Sequence, residues 1–254
     1  MNPESLAEFL SWKPPYIKEI IGNRLLIPQG KMIIFGPKKS WKSMTSIDLA
    51  FKLATGHRWL GFRTTQCRVL AIQLEIAKFA YQERVTKYAM GNKLSPLDNL
   101  FFMSTRNLKL DKPWGVELLK QWITYTRAEV VIVDPAYKVI SGRLTDEWDV
   151  RQFTDRMDEV AEVMNVAIVI VNHEGKFWLV DGEKYDRGAD AQFGSDVFGW
   201  WCDSSIELKA EYEGSNKVHV RFPLLRLSPD DIKPIDMVID RSNLVFSYYK
   251  KEEC

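Results

Sequence analysis

The 254-residue sequence is nearly without net charge, since 35 lysines and arginines face 34 aspartates and glutamates. Summed charge therefore gives no attraction to a nucleic acid or a membrane surface, and any basic surface has to be local. Cysteine is scarce as well. Cys67, Cys202 and Cys254 stand far apart, and an odd count without paired spacing argues against a disulfide framework and for a reducing, cytoplasmic setting. The opening MNPESLAEFLSWKPP carries two acidic residues and no uninterrupted apolar run. Neither a signal peptide nor a membrane span is expected from it. Internal repeats and low-complexity tracts are also missing.

What is present is enough apolar residue, 46% against 27% charged, for one substantial core and hence one domain. Residues 1–28 read as an arm packed beside that core, with a short amphipathic stretch, the Pro14-Pro15 pair and the Leu25-Leu26-Ile27 cluster. Residues 29–205 alternate between two periodicities. Bare apolar runs at Met32–Phe35 and Val130–Val133 suit strands buried on both faces, and Val69–Leu74, Leu100–Met103 and Ala167–Val171 read as further strands. Between them, helical spacing runs from Ile47 to Ala54, Lys78 to Met90, Trp114 to Thr126 and Phe153 to Met164, and it suits Trp114 and Trp122 to packing. This alternation predicts an α/β fold with a mainly parallel central sheet flanked by helices. Residues 206–254 change to shorter β-rich pieces, which predict antiparallel strands added at one edge. Residues 174–195 lack periodicity and read as a long functional loop.

Residues 36–43, GPKKSWKS, follow the first strand and open the first core helix. They match the phosphate-loop pattern G-x-x-x-x-G-K-[ST] except that Trp41 stands where the second glycine belongs. The chemistry needs backbone amides aimed at phosphate oxygens, a lysine for the outer phosphates and a hydroxyl for a metal ion, all at a helix N-terminus. Gly36, Pro37, Lys38, Lys39, Ser40, Trp41, Lys42, Ser43 and Met44 are thus the expected nucleotide contacts, with ATP and Mg2+ as ligands. Glycine at position 41 would allow a left-handed backbone or close approach to the ligand. A strained non-glycine residue costs about 1–3 kcal/mol, leaving a site reshaped but working, or else a site that binds without turnover.

Carboxylates follow at strand ends, where open α/β sheets bind their ligands. Asp134 ends the run Val130–Val133 and is the expected metal-side acid beside Ser43. Glu75 ends another run and can orient or deprotonate an attacking water. His173, after the run Ala167–Val171, is a candidate sensor of the terminal phosphate, and a structural histidine fits the sequence equally.

Taken in order, GPKKSWKSMTSIDLAFKLATG, Trp59-Leu60-Gly61, RVLAIQLE, VVIVDP, Asp146-Glu147, VNHEGK and RGADAQFGS resemble the RecA-like ATPases close to the RepA-type hexameric helicase of plasmids and its phage and archaeal relatives. The likeness runs from about residue 22 to 226. It implies an ATP site at a subunit interface in a ring, such as a hexamer, or a filament, completed by a basic finger from the neighbour. Arg221 best matches the family's late basic strand, with Arg187 and Arg226 as rivals. The resemblance also implies single-stranded DNA on the loops after Asp134 and His173, with Lys138, Arg143, Lys176, Lys184 and Arg187 as candidate contacts. Replication or recombination partners follow from the same likeness. In this sequence the family's paired histidines are Asn172-His173, and the basic residue before Arg221 is His219.

Overall fold

The computed structural model describes residues 3–173, 179–180, 183–184 and 196–249. In chain order the elements are α1 (Leu6–Ser11), β1 (Lys31–Phe35), α2 (Lys42–Thr55), β2 (Val69–Gln73), α3 (Lys78–Gly91) and β3 (Leu100–Ser104). Next come α4 (Pro113–Thr126), β4 (Val130–Asp134), α5 (Ala136–Val139), α6 (Glu147–Met164), β5 (Ala167–Val171), β6 (Leu179–Val180) and β7 (Glu183–Lys184). The chain closes with α7 (Val197–Trp201), β8 (Ser204–Ala210), β9 (Lys217–Leu225), β10 (Ile235–Ile239) and β11 (Phe246–Tyr249).

Nine strands form one sheet in the order β11-β10-β9-β8-β1-β5-β4-β2-β3. From β8 to β3 every pairing is parallel, and from β8 to β11 every pairing is antiparallel. The expected architecture is therefore present, with one difference. β8 was expected among the antiparallel additions, yet it pairs parallel with β1 and antiparallel with β9, so the antiparallel extension begins only at β9. Pairing direction depends on how the chain returns to the sheet, which residue periodicity does not encode.

The central strands bury both faces because successive side chains point to opposite sides. Ile33 and Phe35 enter one cluster with residues of α4, α6 and α7, while Met32 and Ile34 enter another with α2 and the arm residues Ile20, Ile21, Leu25 and Leu26. A third cluster joins Met44, Ile47 and Phe51 of α2 to Tyr81 and Tyr88 of α3 and to Leu244. The arm thus packs as expected from Ile20 onward. Its first part does not: Leu6, Phe9 and Leu10 of α1 are exposed. Two further expectations are corrected. Trp114 is exposed at the first turn of α4, whereas Trp122 packs against the core, and the segment after Asp134 is not all loop but begins with α5. The expected loop at 174–195 lies outside the described residues, apart from the β6–β7 hairpin.

Candidate active site

Register brings the expected residues to one rim of the sheet. Gln73 of β2 stands opposite Asp134 of β4, Val133 opposite Ile170 of β5, and Ile34 of β1 opposite Val171. Consequently Gly36, Glu75, Asp134 and His173 all lie at or just beyond the carboxyl ends of neighbouring parallel strands. Because β5 separates β1 from β4, Asn172 and His173 emerge between the phosphate-loop candidate and Asp134. Asn172 is fixed there by its amide, which donates to the Ile34 carbonyl at 2.9 Å.

The turn from Gly36 to Ser43 crosses from β1 to the N-terminus of α2. Gly36 has φ 153°, and a Cβ on it would stand 2.1 Å from the Leu208 carbonyl of β8, so only glycine fits this close passage. Lys39 and Trp41 both adopt left-handed backbone, with φ 61° and 68°. The Lys42 ammonium is buried and folds over the turn, donating to the Gly36 and Pro37 carbonyls at 2.8 and 2.5 Å. A lysine in this pose has its charge within the curl of the loop, where oxygen acceptors are already gathered.

Asp134 is buried beneath that turn. Burial raises its carboxyl from the ordinary 3.8 to about 6, an effect opposed by hydrogen bonds from the Ser43 and Ser46 hydroxyls and by the Lys42 charge and reinforced by Glu75. Ser46 donates to it at 3.3 Å. The pair of a Ser43 hydroxyl and an adjacent carboxylate fits a hard cation such as Mg2+, which is normally held by one or two protein oxygens together with phosphate oxygens. Among the described residues no group of three or more histidines, cysteines and acids forms a closed cage for a metal.

Glu75 is exposed and projects from a turn held by the Gln73 side chain. With its amide oriented to satisfy both ends, Gln73 accepts from Glu75 N at 2.8 Å and Ile76 N at 2.6 Å, and donates to the Ile76 carbonyl at 3.0 Å. The Tyr137 hydroxyl, at the start of α5, hydrogen-bonds Glu75; burial first and then the Glu75 charge push that phenol up to about 12. Tyr137 also meets the His173 ring at 5.6 Å. His173 is half-buried, and among the described residues its Nδ1 and the neighbouring Asn172 Nδ2 have no hydrogen-bond partner. Burial, then the Lys42 charge, lower the His173 pKa, with Glu75 opposing and Lys38 adding to the effect. The His173 imidazole thus faces the space beside Lys42.

That space is a cavity of about 600 Å3 that runs from Ser40–Met44 over α3, where Glu83, Arg84 and Lys87 line it, to Gly214, Arg241 and Leu244 in the C-terminal turns. His173 lines it as well.

Other expected residues lie elsewhere. Arg221, on β9, is ion-paired with the buried Glu207 of β8. Arg226 donates to the Gly199 and Trp200 carbonyls at the end of α7. Lys138 lies on α5 with its ammonium 5.2 Å from the Tyr137 ring, and Arg143 is exposed on the following turn. Lys176 and Arg187 lie outside the described residues, and Lys184 is described only as a backbone position on β7. Sequence reasoning missed Ser46, Tyr137 and Arg241. Ser46 carried a usable signal, being three residues beyond Ser43 and so on the same helix face. Arg241 carried none, since its approach to Trp41 spans the whole fold.

A parallel sheet with a phosphate-loop turn, lysine, hydroxyl and carboxylate at its carboxyl rim defines a P-loop nucleotide-hydrolysing fold. The family model described as AAA domain matches residues 2–177, and the chain belongs to that family, which makes it a P-loop ATPase. A comparison with curated proteins finds no match.

Proposed function

We propose that the chain is an ATP-hydrolysing, RecA-like motor or assembly ATPase that acts on single-stranded DNA in replication or recombination, as a ring or filament of identical subunits. The observation that carries the ATP part is the meeting of Lys42, Ser43, Asp134 and Glu75 around one turn. In this reading Lys42 exchanges its two loop carbonyls for the outer phosphates, and the amides of residues 38–44 close around them. Ser43 and Asp134 would hold Mg2+, which when bound supplies positive charge between the phosphates. In that role Asp134 would act as the carboxylate, the form that a cation held beside it would favour despite burial. Glu75, steadied by Gln73 and Tyr137, orients the attacking water and accepts its proton. His173 offers its ring nitrogen to the terminal phosphate and passes its state to the segment that follows β5.

The DNA and assembly parts rest on the resemblance, the basic residues Lys138 and Arg143 after β4, and the exposed apolar residues of α1. Arg221 is proposed as the finger for a neighbour's site, in which case its pairing with Glu207 aims the guanidinium. A second reading, nucleotide binding without turnover, is favoured by the left-handed Trp41. Phosphate release with and without single-stranded DNA separates the two. Turnover by the native chain should exceed that of Lys42→Ala by about 100-fold or more. Equal rates would remove the enzyme, and equal nucleotide affinities would remove the site.

A further inference from the structure

The position at which the phosphate-loop pattern asks for glycine holds the residue of that turn with the farthest-reaching contacts. Trp41 stands at the N-cap of α2 in left-handed backbone, and its side chain makes no cap hydrogen bond. Its indole reaches out of the loop, and Nε1–H donates to the Ser215 carbonyl at 2.7 Å. Ser215 is buried and firmly held: its amide donates to the Tyr212 carbonyl at 2.9 Å and its hydroxyl accepts from Lys217 N at 3.1 Å. The guanidinium of Arg241 lies 5.7 Å from the Trp41 ring centroid, within cation–π range. Arg241 also donates to the Gly214 carbonyl, and its own carbonyl accepts from Lys87 of α3 at 2.7 Å. Beside these contacts Lys39 pairs with Glu213 at 2.6 Å, an exposed pair that adds little by itself.

These groups join the phosphate-binding turn to the turns between β8 and β9 and between β10 and β11. Both turns lie beyond residues 2–177, the part matched by the AAA-domain model. They also form one wall of the cavity beside Lys42 and Ser43. A glycine at position 41 would relieve the left-handed strain and give the turn more freedom. Tryptophan does the reverse, since it anchors the residue immediately before Lys42 and Ser43 to the sheet extension.

We propose that Trp41 is a positioning residue, clamping the phosphate-binding turn to the two C-terminal turns so that the sheet extension sets the aim of Lys42 and Ser43. The proposal rests on the nucleotide-binding reading given above. It opposes the view of Trp41 as damage to the motif, because the two assign opposite signs to Trp41→Gly. Restoring the glycine should repair a damaged site, whereas it should loosen a clamped one.

The test compares native protein, Trp41→Gly, Trp41→Phe, Arg241→Ala and Lys42→Ala by equilibrium binding of two probes, ATP with magnesium and inorganic tripolyphosphate with magnesium. Amide hydrogen exchange of residues 36–43 is followed in the nucleotide-free proteins. Trp41→Gly should weaken both probes by roughly fivefold to tenfold, the scale of one lost hydrogen bond with its stacking, and should speed exchange across the turn. Trp41→Phe, which keeps the ring against Arg241, should recover part of the loss. Arg241→Ala, a change in an exposed turn, should weaken both probes by about threefold. Affinity equal to or tighter than native in Trp41→Gly would overturn the clamp. So would loss of ATP affinity alone with tripolyphosphate unchanged, since that pattern means direct contact with the nucleoside. Native protein no better than Lys42→Ala at holding ATP is a separate outcome, and it removes the nucleotide reading together with the clamp.

Discussion

Asp134 shows how much a single position gives up to face a nucleotide. Its carboxyl is buried under the turn that carries Lys42, and burial outweighs the hydroxyls of Ser43 and Ser46, so it titrates near 6 instead of 3.8. A folded-state pKa above the unfolded one means that the protonated form is favoured on folding. The associated stability is fully present below about pH 4 and is lost as the pH rises through about 6. The size of the effect is on the order of 3 kcal/mol. Asp134→Asn should therefore leave nucleotide-free stability unchanged near pH 4 and raise it by about 1–3 kcal/mol at pH 7.5, as measured by urea unfolding. The same substitution should lower ATP turnover by about 100-fold or more. A variant less stable than native at pH 7.5 would show that the serine hydrogen bonds outweigh burial. Asp48 follows the same sign: it is buried, raised to about 6, and satisfied by the Tyr88 hydroxyl at 2.5 Å and the Tyr248 hydroxyl at 3.2 Å. It ties α2 to α3 and to β11, which no local pattern around residue 48 announces.

At the scale of elements, the decisive arrangement is the passage of the β1–α2 turn against β8. β1 pairs in parallel with β5 on one side and β8 on the other, which places the Leu208 carbonyl directly against Gly36. Gly36→Ala adds a methyl group where only 2.1 Å is available, at a φ of 153° that L residues rarely adopt. The variant should lose roughly 2–5 kcal/mol of stability in urea unfolding, by the added costs of strain and overpacking. Its loss of nucleotide affinity should exceed that of Ser43→Ala, because the whole turn shifts instead of one ligand. Gly61, which has nothing within 4 Å of an added Cβ, is the control position for φ strain without a clash. The first glycine of the pattern was legible in the sequence, but its reason was not: the partner that forbids a side chain lies more than 170 residues away.

At the scale of the whole molecule, the unburied apolar face of α1 and the ion pair of Arg221 with Glu207 are the features on which the proposed assembly can be tested. Among the described residues α1 buries none of its side chains, and Leu6, Phe9 and Leu10 are all exposed. If neighbours complete one another's sites, turnover should rise more steeply than protein concentration, and Arg221→Ala should lower the plateau by about 10-fold or more. Turnover strictly proportional to concentration would argue for a site complete within one chain. If the chain acts on single-stranded DNA as proposed, stimulation of turnover by that DNA should weaken as salt is raised, as phosphate contacts require.

The alternation of apolar runs and helical spacing was sufficient for the sheet-and-helix core, because strands buried on both faces cannot tolerate polar residues at either phase. The same residues named Lys42, Ser43, Glu75, Asp134 and His173, since the ends of parallel strands share one rim. What tertiary structure alone decided was the rest of the pocket. The direction of β8, the contact of Trp41 with Ser215 and Arg241, and the unused polar atoms of Asn172 and His173 depend on segments that meet only when the sheet closes. Local periodicity records which face of an element is buried; it carries no record of which distant turn comes to lie against it.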